Sequence, residues 1–212
     1  MVYKKYKKKR PTRKRRKKTW RKNINKPDYS TKCSGSGVVQ LQNSDTLPVR
    51  YSKAFAFSDI TNYSNYKLWD QYRLNCIVVK ITPNLTEVSN GPFDDTTNPG
   101  AGAMIPNYAV YVDRDDNSST NADYESLKAR QGTRISPCTK PMTIKFRPTR
   151  LLQVYKSLTS SGYMCDNSKS FLDDRGIPHY GIKVGIESGG VDNKFGLRIE
   201  YTYYVSFRSR RE

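Results

Sequence analysis

Twelve basic residues fall in two tight clusters near the start of the chain. Lys4, Lys5, Lys7, Lys8, Lys9 and Arg10 form the first, and Arg13, Lys14, Arg15, Arg16, Lys17 and Lys18 the second, with Pro11 between them. Arg21 and Lys22 follow, and Tyr3, Tyr6 and Trp20 are interleaved. Ammonium and guanidinium groups at this density neutralise phosphates and release counterions whatever the base sequence. The aromatic rings can stack on unpaired bases, at roughly 1–3 kcal/mol each. The basic residues from Lys4 to Lys22, together with Trp20, are therefore the candidate nucleic-acid-binding set. The two clusters also have the composition of a nuclear localisation signal, which needs only about five charges. The first 26 residues carry fifteen, with no acid among them. If all fifteen engaged a single strand, the log–log salt slope would be near about −10.

Other chemistries find few residues to work with. His179 is the only histidine, so a histidine triad or histidine-rich metal site cannot be built, and its place after Pro178 reads as structural. Asp113, Asp115, Asp116 and Asn117 begin like a calcium loop, but Ser118 and Tyr124 stand where glycine and glutamate are needed. A turn at a strand end is the better reading. The run Gly35-Ser36-Gly37-Val38-Val39-Gln40 lacks the third glycine of a dinucleotide fingerprint and leads into a strand. Asp94/Asp95 and Asp173/Asp174 fall in expected loops, as solvated charge. Cys33, Cys76, Cys138 and Cys165 are widely spread without CxxC pairing, which argues against a zinc site and a disulfide framework. Reduced thiols are expected, with Cys76 as core of an apolar strand. The sequence thus predicts no catalytic constellation, no metal and no cofactor; an enzyme is not expected.

The elements that must carry the basic clusters follow from where the charge stops. The chain has 38 basic and 19 acidic side chains, net +19; beyond residue 26 the balance is 23 to 19, net +4. A self-repelling block of this kind reads as a disordered arm over 1–26. Residues 27–37, with Pro27 and the Ser34-Gly35-Ser36-Gly37 run, read as a linker, and 38–212 as one domain. No apolar stretch follows the basic start, so no secretory signal is expected, and the sequons at Asn62, Asn84 and Asn117 read as chance matches. No window approaches the roughly 18 apolar residues of a membrane span, so no membrane partner is expected.

The domain reads as strands. Short candidates are Val38–Gln42, Tyr51–Phe57, Tyr108–Val112 and Met142–Phe146, and Tyr180–Ile186 alternates more cleanly. Arg73–Thr82 is nearly continuously apolar and predicts a strand covered on both faces. The last strand alternates over eleven residues, with Leu197, Ile199, Tyr201, Tyr203, Val205 and Phe207 on one face. Helical signal is local, at Ser64–Gln71 and Asn121–Arg130. Seven or eight strands with long connections at Asn84–Pro106, Asp113–Arg134 and Arg147–Pro178 predict an all-β jelly-roll sandwich of two four-stranded antiparallel sheets.

A basic arm on such a body resembles the capsid proteins of circoviruses and cycloviruses. The resemblance is carried by Tyr72-Arg73-Leu74-Asn75-Cys76-Ile77-Val78-Val79-Lys80-Ile81-Thr82-Pro83, by Tyr108–Val112 with its acidic turn Asp113-Arg114-Asp115-Asp116, and by Lys145-Phe146-Arg147-Pro148. His179-Tyr180-Gly181-Ile182 and Tyr203-Tyr204-Val205-Ser206-Phe207-Arg208 complete it, in the family's order. Circovirus arms are mostly Arg, so the Lys-rich arm here is more similar to a cyclovirus-like relative. The resemblance implies a sixty-copy icosahedral shell, arms directed inward onto a circular single-stranded DNA genome, and nuclear import of new subunits. It also implies a virion and host-nucleus location and attachment to a cell-surface receptor such as a sulfated glycan. Arg208, Arg210 and Arg211 read as solvent-facing by default. The rival reading is a cellular basic β-domain that binds nucleic acid as a monomer or dimer.

Overall fold

The computed structural model describes residues 27–35, 38–42, 49–85, 105–116, 118–156, 161–166, 169–187 and 195–210. Two long strands form the spine of the first sheet. β4 (Trp69–Leu85) runs antiparallel to β11 (Phe195–Arg210) along their whole length. β1 (Tyr29–Ser34) and β2 (Val39–Gln42) pair with β11, and β7 (Met142–Phe146) pairs with β4. The inward alternation expected of β11 holds: Leu197, Ile199, Tyr201, Tyr203, Val205 and Phe207 are all buried.

The second sheet runs in the order β6 (Arg134–Pro137), β5 (Asn107–Val112), β10 (His179–Ile186), β8 (Thr149–Lys156), β9 (Ser161–Asp166), with β3 (Arg50–Phe55) also paired to β10. All pairings are antiparallel, and the two sheets close a jelly-roll sandwich. Phe55 fills the space between them, with ring centroids 5.3 Å from Tyr201 and 5.9 Å from both Tyr203 and Phe146. The sheets thus have five and six strands, not four and four.

The extra strands come from segments that read as connections. Residues 29–34, expected within a linker, form β1 because Tyr29, Thr31 and Cys33 share the inward face opposite Phe207, Val205 and Tyr203. The expected connection Arg147–Pro178 contains the β8–β9 pair, and β6 closes the Asp113–Arg134 connection. The helices are shorter than expected. Phe57–Asp59 and Tyr63–Tyr66 are 3-10 turns, and α1 (Tyr124–Lys128) begins where the Asp123 carboxylate accepts the Ser126 N–H at 3.0 Å.

β4 was expected to be covered on both faces, yet only one is. A register shift lies between Tyr204 and Val205, which pair with Cys76 and Leu74, so Asn75 is the extra residue of a bulge. The bulge inverts the side-chain phase: Tyr72 and Leu74 before it, and Ile77, Val79 and Ile81 after it, all point inward. Cys76 is therefore half-buried on the outer face and not core; Cys33 and Cys138 are the buried thiols. β10 shows the opposite. Gly181, Lys183 and Gly185 are as buried as Ile182, Val184 and Ile186: Lys53 and Phe55 close over Gly181, the acidic turn after β5 over Lys183, and the α1 segment over Gly185. A Cβ on Gly185 would meet Ala122 O and Tyr124 N at 2.6 Å.

Tyr203 is fully buried and its hydroxyl has no hydrogen-bond partner among the described residues. Burial pushes its phenol far above the usual range. A buried hydroxyl without a partner costs about 1–3 kcal/mol. Tyr203→Phe is thus expected to leave the fold equally stable or about 1 kcal/mol more stable, read from urea unfolding of the full chain.

Candidate nucleic-acid interface

The predicted binding residues, Lys4 through Lys22 with Trp20, lie outside the described residues, as do both expected localisation clusters. What the structure describes is where they are attached. The Asp28 N–H donates to Phe207 O at 2.9 Å, and the Asp28 carboxylate accepts the Ser209 N–H at 2.9 Å. The chain entering β1 is thus clamped to the last turn of β11. Ser209 itself takes a left-handed conformation, φ 55. Next to the clamp, Tyr29 stacks on Trp69 with centroids 5.9 Å apart, and Phe207 stacks on Tyr66 at 5.1 Å. Tyr29, Tyr63 and Leu68 leave apolar surface exposed at this end. Lys67 stands 5.3 Å over the Tyr63 ring, and the Arg175 guanidinium donates to the carbonyls of Lys67 and Trp69. Arg208, opposite Gln71, is half-buried at the same end and engaged with a neighbour, which corrects its default reading as solvent-facing.

From that end a polar row crosses the outer face of the first sheet. Ser30 and Ser206 share a hydrogen bond of 2.7 Å, the Asn75 amide donates to Ser206 Oγ at 2.7 Å, and Arg73 Nε donates to Asn75 Oδ1 at 2.9 Å. The bulge at Asn75 places that side chain in the row, so the strand entering from residue 27 is tied to Arg73 two strands away. Further along the same face, Lys32 stands opposite Tyr204, whose ring lies 5.8 Å from Lys145 Nζ. Lys80 and Arg198 flank Glu200 at 3.9 and 2.9 Å. The face therefore presents more cations than anions around one exposed aromatic ring.

The acidic turn after β5 has another task. Asp113 is buried and accepts the N–H groups of Asp115 and Asp116, so the stretch is a turn at the end of β5, as expected. Its carboxylate meets Lys183 Nζ at 2.9 Å and Arg130 Nη1 at 3.2 Å, and Lys183 also bonds Asp116. Sequence reading placed Lys183 on a strand but gave no reason to pair it with this turn. No group of three or more metal-ligating side chains gathers among the described residues. His179 is buried, and burial followed by the charge of Arg150 lowers its imidazole to about 4, so the ring is neutral at pH 7. These titratable groups sit in structural pairs and show no nucleophile–base geometry.

Comparison with known proteins agrees with the architecture. The chain resembles the 60-mer BFDV capsid protein (TM-score 0.60, 13% identity, covering 87% of this chain and 95% of that one). It also resembles the decameric BFDV capsid protein (TM-score 0.54, 14% identity, 85% and 99% coverage). At such identity the likeness is one of fold. No curated protein matches the sequence. The family model described as Circovirus capsid protein matches residues 3–211, from inside the basic arm to the last residues. A match over nearly the whole length settles the family: the chain belongs to the circovirus capsid protein family, a structural and non-enzymatic component of the virion.

Proposed function

We propose that this capsid protein builds a sixty-copy icosahedral shell and packages single-stranded DNA through residues 1–26, with the jelly roll from β1 onward as the tiling domain. The observation that carries the reading is the separation of charge: fifteen of 38 basic residues precede Pro27 without an acid, and the rest of the chain is near balance. A near-neutral body can tile with copies of itself without strong self-repulsion, while the arm supplies the charge the genome needs. Sixty arms bring about 900 positive charges, able to neutralise about as many nucleotides at one phosphate each. The attachment at Asp28 and Tyr29 supports the same division, because the arm joins the sandwich at one end. Lys4 to Arg10 and Arg13 to Lys18 also serve nuclear import of new subunits, and outer loops attach the particle to a cell-surface receptor such as a sulfated glycan.

The test is the purified full chain in the electron microscope, combined with sedimentation and a nuclease-protection assay. Particles of uniform size containing nuclease-protected single-stranded DNA are expected. Monomers or dimers alone at every salt and pH tried would overturn the reading in favour of a cellular nucleic-acid-binding module.

A further inference from the structure

The outer face of the first sheet carries more positive charge than its own acid neutralises. Lys32 on β1, Arg73 and Lys80 on β4, Lys145 on β7 and Arg198 on β11 all take outward positions, against one acid, Glu200, among the described residues of that face. Glu200 is already shared by Lys80 and Arg198. Arg73 donates to Asn75 Oδ1 and Lys169 O, both uncharged acceptors. Lys32 and Lys145 are exposed, and neither meets a carboxylate among the described residues.

Tyr204 stands between those two lysines. It is 37% exposed, whereas Tyr201 and Tyr203 on the inward face of the same strand are buried. Lys32 is its direct cross-strand neighbour, and Lys145 Nζ lies 5.8 Å from its ring centroid. In the order β1-β11-β4-β7 the two lysines are three strand spacings apart, about 14 Å. An aromatic ring left in water on a sheet, with a cation on each side, suits a single nucleic-acid strand: bases stack on the ring and ammonium groups meet phosphates. The arm enters at the same sheet. From Asp28, bonded to Phe207 O, to Lys32 is a run of four residues along β1, about 13 Å.

We infer that the outer face of the first sheet is a second contact for the packaged single strand, with Tyr204 stacking a base and Lys32 and Lys145 meeting the flanking phosphates. Lys145 sits over the ring in the free protein and moves to a phosphate when a base covers that ring. Stacking on one ring raises local affinity roughly 5- to 150-fold and tolerates any base. The two lysines add about 0.7 each to a salt slope that the arm holds near about −10. The arm therefore gathers the strand, and the sheet face fixes where it lies against the body. This inference rests on the packaging reading and adds a contact outside residues 1–26.

Photo-cross-linking reads the two contacts separately. Full-length protein is assembled with a single-stranded dT oligonucleotide carrying 5-iododeoxyuridine, irradiated, digested and mapped by mass spectrometry. Cross-links are expected at Tyr204 as well as in the arm, at Tyr3, Tyr6 or Trp20. The double variant Lys32→Gln/Lys145→Gln keeps the photoreactive ring. It should lower the Tyr204 yield about tenfold near physiological salt, from two lost phosphate contacts, and leave the arm yield unchanged. Tyr204→Phe, which keeps the stacking ring, should retain the cross-link. Arm cross-links without one at Tyr204, or an equal Tyr204 yield in the double variant, overturn the sheet-face contact and leave the packaging reading standing. Loss of particles in the double variant assigns the face to contact between copies and also overturns it. Cross-links in neither region remove both readings.

Discussion

Cutting the chain after Lys26 is expected to leave particles that assemble without DNA, whereas cutting it after Gly35 is expected to abolish assembly. The first cut removes fifteen positive charges and no described contact. With about 0.7 counterions released per phosphate contact on a single strand, the arm accounts for a log–log salt slope of about −10. Between 50 and 200 mM salt that slope alone changes affinity by about a millionfold. The shortened chain, at net +4, should therefore show a shallow slope by fluorescence anisotropy and little nuclease-protected DNA per particle. Protection close to that of the full chain would remove the arm as the carrier of packaging.

The second cut differs by nine residues and acts on the fold. It removes β1, and with it six register positions on β11 and the Gly35 N–H to Tyr201 O bond of 2.9 Å. It also uncovers the inner row Tyr203, Val205 and Phe207 along that edge. Each such side chain contributes about 1.5–3 kcal/mol when fully buried, so partial exposure of three endangers a domain worth about 5–15 kcal/mol. Aggregated or unfolded protein, read by sedimentation and circular dichroism, is the expected result. Reading 27–37 as a linker would have made the two cuts equivalent.

That misreading shows where sequence evidence stops. β11 is legible because its alternation spans eleven residues with large inward side chains, and the charge of the arm is legible because it is local. β1 has the sequence Tyr29-Ser30-Thr31-Lys32-Cys33-Ser34, whose inward set is small and polar apart from Tyr29. Its apolar character comes from the partner strand. The run Arg73–Thr82 looked buried on both faces because a bulge at Asn75 reverses the phase within it, and no propensity marks that residue. The buried pair of Asp113 and Lys183 was invisible for a different reason. The two residues are far apart in sequence, and only the pairing of β5 with β10 brings them together. Motif spacing finds sites built on one element, and this one is built on two.

The same limit hid the group whose loss should cost the fold most. Lys183→Met is expected to destabilise the domain by about 3–5 kcal/mol, the usual penalty for removing one partner of a buried ion pair. Lys183 is fully buried against Asp113, itself 2% exposed, and the change would leave that carboxylate with Arg130 and two backbone N–H groups. Asp113→Asn should cost a comparable amount, and the double variant less than the sum, because each single change leaves the other's charge with its more exposed partner alone, Arg130 or Asp116. Additive losses in urea unfolding would show that the contact is incidental. The pH dependence follows from the signs. Burial raises the Asp113 carboxyl, but hydrogen bonds from Asp115 and Lys183 outweigh it and hold the group at about 2. Its unfolded value is about 3.9, so this carboxylate stabilises the fold above about pH 4 and loses that contribution as pH falls toward 2. Lys183 is raised, because Asp116 and Asp113 outweigh burial, so its contribution persists below its unfolded value of about 10.4 and fades only as pH rises through its folded value. The pair is thus intact across neutral pH. Without the lysine, the Asp113 carboxyl loses the charge that holds it down, its proton affinity rises, and the acid limb of the stability curve should begin closer to neutral. A Lys183→Met protein whose acid unfolding midpoint equals that of the parent would refute this account of the cluster.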